Sequence, residues 1–293
     1  MQFLHFKNWE DYMKKFINTY GRNILTIITL ALVFIGFNDY FSQFAEKDKS
    51  QALFPIFLIA ASTVFLYAIP VALFIFYLVR RFNVSGKVVL ISLILGFTLP
   101  LYLASQGNSL ISLLLFSLNV PKEILSKWGA AMTAPFTEEI AKGLVVLLTY
   151  FFCKKISLKD AFISGMISGF GFQVFEDFAY IFQSTFGETN TGFSIAFERI
   201  SNALGSHMDF AIVFGVGLIA LLKKEKSIPK SKALFFIIAP IVLHFVWNSP
   251  LEGDWVTPLF GSINLCLAYY VFTFVDSLDE GDKIGSLSNR VDD

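Results

Sequence analysis

Apolar residues in this chain come in runs of membrane-crossing length, with polar residues gathered between them. Crossing about 30 Å of hydrocarbon takes roughly 20 helical residues. Runs of that order lie near 22–41, 52–79, 86–105, 127–153, 160–183, 205–222, 231–250 and 256–276. They predict an all-α fold, a polytopic membrane helix bundle of about eight transmembrane helices. The stretch 109–120 is apolar but short and closed by Pro121, which predicts an interfacial or re-entrant helix. Pro55, Pro70 and Pro240 fall inside the runs, and each predicts a kink or a helix end, because proline cannot donate to the helical ladder.

Residues 1–21 mix apolar side chains with Lys7, Lys14, Lys15, Glu10 and Asp11. That mixture is too long and too acidic for a signal-peptide n-region, and it predicts an amphipathic cytoplasmic segment. Residues 22–276 then form the helical membrane domain, and 277–293 a polar cytoplasmic tail. Lys and Arg recur before the first run and after the second, fourth and sixth. By the positive-inside rule both termini are cytoplasmic, and 42–51, 106–126, 184–204 and 251–255 face outward.

Composition agrees. Of 293 residues, 55% are hydrophobic and only 16% charged, too little polar surface to coat a soluble globule. The partner such a chain requires is a lipid bilayer. A net charge of zero supplies no basic surface for nucleic acid. Cys153 and Cys266 sit in or beside apolar runs as small hydrophobes and make no disulfide or metal framework.

Eight ionisable residues nevertheless lie inside these runs: Glu138, Glu139, Lys142, Glu176, Asp177, His207, Asp209 and His244. A charge at the centre of a spanning helix costs roughly 2.5–3.5 kcal/mol even on insertion scales, so such groups face a protein or water interior. Five carboxylates against one lysine leave four negative charges (5 − 1 = 4) that call for protons or a metal cation. The predicted topology places Glu138, Glu139, Glu176, His207 and His244 in the outer half of the bilayer, on four different helices. A shared cavity open to the outer face follows.

In PFTEEIAKGL, Glu138 and Lys142 are four residues apart on one helical face. For an isolated pair, a lysine partner alone accounts for a buried glutamate. Adjacent glutamates in a low-dielectric site go further, since one can stay ionised as a general base while the other is protonated or bound to a cation. Glu176 stands in a row with Phe172 and Tyr180, and Gly165 and Gly169 predict close helix approach. Asp177 and Asp209 read as supporting groups, and His244 shares a face with Asn248. Two histidines at matching depth with glutamates suit a metal or acid/base chemistry. Three functions use such a cluster: hydrolysis, proton- or cation-coupled transport, and helix packing alone. The charge surplus argues against the last. The lack of repeats or of a polar path to the cytoplasmic half argues against transport.

These residues resemble the PrsW family of intramembrane metalloproteases, distantly related to the type II CAAX prenyl endopeptidases. The motifs fall in the same order: EExxK at Glu138, Glu139 and Lys142; FxxxED at Phe172, Glu176 and Asp177; a helix-start His207; and HxxxN at His244 and Asn248. The resemblance implies peptide hydrolysis within a bacterial cytoplasmic membrane, on membrane-anchored substrates such as anti-sigma factors. It implies that Glu138 or Glu139 activates water, and that His207, His244 and Glu176 bind zinc or hold the water and oxyanion, with Asn248 as a donor in a metal-free version. The CAAX relatives carry EExxxR, and His where this chain has Glu176, so the ligand set stays open.

Overall fold

The computed structural model describes residues 2–42, 51–154, 156–187, 191–225, 227–251 and 255–288, with side chains for 19–42, 52–154, 156–187, 191–225, 227–251 and 255–278. All regular structure among them is helical: α1 (Gln2–Ser42), α2 (Phe54–Ser62) after a short 3₁₀ turn, α3 (Phe65–Arg81), α4 (Gly86–Gly96), α5 (Pro100–Ser117), α6 (Lys122–Cys153), α7 (Leu158–Phe186), α8 (Gly192–Ser201), α9 (His207–Lys223), α10 (Lys230–Trp247) and α11 (Val256–Ser288).

The chain divides into two units, residues 1–45 and 46–293. The first contains α1, which runs without a break through the expected surface segment 1–21 into the first apolar run. Its 41 residues span about 62 Å at 1.5 Å per residue, twice the hydrocarbon thickness. The stretch Thr19–Ser42 is apolar enough to cross, with Ile27, Leu30 and Phe34 exposed. The amphipathic side chains expected before residue 19 lie outside the described side chains.

In the second unit, Phe54–Arg81, Lys230–Trp247 and Val256–Leu278 are also long and apolar enough to cross a membrane. That makes four such helices among the described residues, or five if α4 and α5, bent by 41°, count as one span. The break between α4 and α5 lies just before Pro100, which takes the first helical position of α5. A proline there has no N–H to continue the ladder of α4 and disfavours helix in the residue before it. The stretch 109–120 is therefore no separate short helix; most of it is the second half of α5. Pro55 marks a helix start, whereas Pro70 and Pro240 lie within continuous helices. α11 continues to Ser288, so much of the polar stretch after 276 is helical.

α7 packs against α9, α4, α6 and α8 and is the helix around which the second unit is built. Two features allow its neighbours so close. A Cβ added at Gly165 would lie 2.5 Å from the Ala211 carbonyl oxygen, and one at Gly169 would lie 2.6 Å from the Met208 Cα, so only glycine lets α9 approach. Small hydroxyls supply the rest of the grip: Ser92 donates to Ser164 at 2.8 Å, and Ser168 to the Lys142 carbonyl at 3.1 Å. Such contacts matter because lipid tails are as apolar as leucine and give helices no hydrophobic reason to associate. Gly169→Val forces α7 and α9 apart at the start of α9; we expect a loss of about 1–3 kcal/mol, read as a lowered thermal midpoint in detergent. Gly86→Ala, where an added Cβ meets nothing within 4 Å, serves as the unchanged control.

Candidate metal and proton-transfer site

α6 brings Glu138, Glu139 and Lys142 into the bundle one turn after Pro135, whose missing N–H leaves the Ala131 carbonyl without its helical donor. Glu139 and Lys142 have fully buried side chains. Lys142 Nζ pairs with Glu139 Oε1 at 2.6 Å, and the Glu139 carboxylate also meets His244 Nδ1 at 2.8 Å. The lysine thus partners Glu139, three residues back, and not Glu138 four back as the helical spacing suggested. Its Nζ also lies 3.3 Å from His207 Nδ1 and 4.9 Å from the centre of the Phe172 ring.

Glu138 turns the other way, onto the wall of a cavity of about 430 Å³ that Glu176, Arg199, His207, His244 and Asn248 also line. Its Oε2 is 3.5 Å from His207 Nδ1 and 3.8 Å from His244 Nε2, and it is buried without a hydrogen-bond partner. Buried polar atoms are nearly always satisfied, so an orphaned carboxylate oxygen facing two imidazoles marks a place for a cation or a proton. Ligand atoms of Glu138, His207 and His244 all lie within 4.8 Å of one another, and a carboxylate with two imidazoles is a donor set that zinc accepts. The residues fit a metal.

Each imidazole is held from behind. Glu139 occupies the far nitrogen of His244, and Glu176 Oε2 sits 3.0 Å from His207 Nε2. Carboxylates in those positions fix ring orientation and tautomer, as they do behind metal-bound histidines generally. Rings complete the fixation: Phe210 stacks on His244 with centroids 5.0 Å apart, and Phe172 lies 4.9 Å from His207.

Arg199, on α8, forms ion pairs with both Glu176 and Asp177 and lies over the Tyr180 ring at 4.8 Å. Asp177 also accepts from the Tyr67 hydroxyl at 2.6 Å. Asp177 therefore faces away from the two histidines and anchors the arginine. Asp209 is elsewhere too. It lies two residues after His207, about 200° around the helix, and accepts the Gly205 N–H at 2.9 Å.

That bond belongs to a second group of polar contacts, which hold the turn leading into His207. Gly205 has φ +77°, a backbone state that favours glycine. Asn264 on α11 donates to the Gly205 and Ser206 carbonyls at 2.9 and 3.2 Å, and Gln173 on α7 donates to Ala203 at 3.1 Å. Sequence reasoning did not single out Arg199, Tyr67, Gln173 or Asn264 as site residues. One signal for Arg199 was present: it is the only basic residue in the outward segment 184–204, next to a cluster short of cations.

With Arg199 included, the charge surplus narrows. Glu139 has Lys142, Glu176 and Asp177 share Arg199, and Asp209 has a backbone donor. Glu138 is left. Removing one partner of a buried pair typically costs 3–5 kcal/mol, because the other charge stays behind. Lys142→Met should therefore lower the thermal midpoint sharply, and Lys142→Met with Glu139→Gln should recover most of the loss. Equal melting of the single and double variants would contradict the pairing.

The family model of the PrsW family intramembrane metalloproteases matches residues 84–276, from the loop before α4 into α11. No curated protein and no solved structure matches the chain. The match takes in all the helices that line the cavity, and of the two chemistries left open by the buried charges it is proteolysis, not transport, that it carries. Two-thirds of the sequence falls within one family model, and the chain belongs to the PrsW family of intramembrane metalloproteases.

Proposed function

We propose that this protease hydrolyses a peptide bond in the outer half of a membrane-anchored protein's span, with Glu138, His207 and His244 holding a zinc ion. The observation that carries the ligand set is the orphaned Glu138 Oε2 between two imidazoles whose far nitrogens are both occupied by glutamates. Glu138 thereby takes the ligand place that motif order alone assigned to Glu176. Bound there, zinc would supply Lewis acidity to a water and to the scissile carbonyl.

The chain's own groups supply the remainder. Glu176 lines the cavity, and its charge is compensated by Arg199. With Oε2 engaged by Arg199 and His207, we assign Oε1 to take the water's proton and return it to the leaving amide nitrogen. Glu139, absent from the cavity wall and bound to Lys142 and His244, orients the imidazole instead of acting as base. Asn248 lines the same cavity, where its amide can donate to the developing oxyanion.

The topology we adopt has eight crossings with both termini cytoplasmic. It takes α2 with α3 and α4 with α5 as one span each, and adds α6, α7 and α9, whose buried carboxylates and histidines make them less apolar than a lipid-facing helix. Support comes from the alternation of Lys and Arg between short loops. A bacterial inner membrane and a substrate of the anti-sigma-factor kind are the setting that the family resemblance favours.

Purified protein assayed on single-span substrates, with bound zinc measured in parallel, tests the assignment. Glu138→Gln should lose both cleavage and zinc. Glu176→Gln should lose cleavage by roughly 100-fold or more while keeping zinc. Turnover that survives Glu138→Gln and His207→Ala together would sink the proposal, and zinc lost from Glu176→Gln but kept by Glu138→Gln would reverse the two glutamates.

A further inference from the structure

One turn of α5 brings polar side chains to the cavity. α5 contributes Ser105, Asn108 and Ser109, an i, i+3, i+4 set on one helical face, beside Leu101 and Ala104. Ser105 and Ser109 are exposed and Asn108 is half-buried, so the set is open to a molecule that enters the cavity. Two details fix its middle residue. The Thr137 hydroxyl, one residue before Glu138, donates to Asn108 Oδ1. Gly107 permits this approach, since a Cβ there would lie 2.8 Å from the Thr137 methyl carbon. With one lone pair of its oxygen engaged by Thr137, the Asn108 amide keeps both N–H groups to donate into the cavity.

A peptide bond inside a transmembrane helix has its N–H and C=O tied to the ladder and its carbonyl carbon covered, so cleavage requires a locally unwound segment. Unwinding strips several backbone groups of their partners in a place without lipid-side donors, and each unsatisfied group is costly there. The site must replace them. We infer that the Ser105–Asn108–Ser109 face of α5 docks the unwound backbone of the substrate, with Asn108 donating to the carbonyl of a peptide unit flanking the scissile one. Thr137 is a positioning residue for Asn108. The recognised class is an extended, backbone-exposed segment of a span, with helix-weakening residues near the cut, more than any particular side chain. This rests on the peptidase reading above.

Two measurements separate the fates of the two readings. The first is KM and kcat for a single-span substrate with a Gly-Pro pair near the cut; the second is Kd of the same substrate for the Glu176→Gln protein, which does not depend on turnover. Asn108→Leu and Ser105→Ala with Ser109→Ala should each raise KM and Kd roughly 3- to 10-fold, the scale of one or two lost hydrogen bonds, with kcat within about twofold. Thr137→Val should give a smaller rise in the same direction. Should Asn108→Leu fail to fold, the serine pair and Thr137→Val carry the result. Unchanged Kd in the serine pair and in whichever Asn108 or Thr137 variant folds overturns the inference, as does a loss confined to kcat. A wild-type protein that binds the substrate in the Asn108-dependent way but never cuts it would overturn the peptidase reading alone.

Discussion

Ionisable side chains buried in an apolar bundle must find their counter-charges inside the protein, and this requirement shapes the second unit more than any hydrophobic contact does. In lipid there is no net gain from moving leucine against leucine, so helices are held by close backbone approach and by polar bonds. Here both act at one place. The glycines of α7 bring α9 close where His207 begins, and that closeness lets His207 reach Glu176 with one ring nitrogen and Lys142 with the other. Lys142 and Arg199 serve different carboxylates, the first pairing with Glu139 and the second with Glu176 and Asp177.

The outcome is a division of labour among groups that look alike in sequence. Glu138 and Glu139 are adjacent, yet the helix turns one toward the cavity and the other into the packing between helices. Glu176 and Asp177 are adjacent too; the first backs an imidazole and the second anchors an arginine. In each pair one carboxylate meets the cavity and its neighbour holds the scaffold.

Much of this was legible beforehand, for a physical reason. A charge in a long apolar run is costly, so Glu138, Glu139, Glu176, His207 and His244 stand out in the sequence, and the structure brings them into one cluster, with Glu139 behind the cavity wall. The helix break was harder to read, because a proline inside an apolar run can end a helix, as Pro100 does, or lie within a continuous one, as Pro70 and Pro240 do. Asp209 sits close to His207 in sequence but on the opposite face of its helix. Arg199 lies in a polar segment where a charge is unremarked. Asn264 is a single amide in an apolar helix, with no motif to tie it to a turn sixty residues earlier in the chain; only the folded arrangement joins them.

That amide has a consequence for how His207 is held. The turn that aims the imidazole is completed by Asn264 of α11, a helix that contributes no residue to the cavity wall. The aim of the histidine is thus set from outside the cavity, and a change on α11 can turn the ring without altering anything that a substrate would touch.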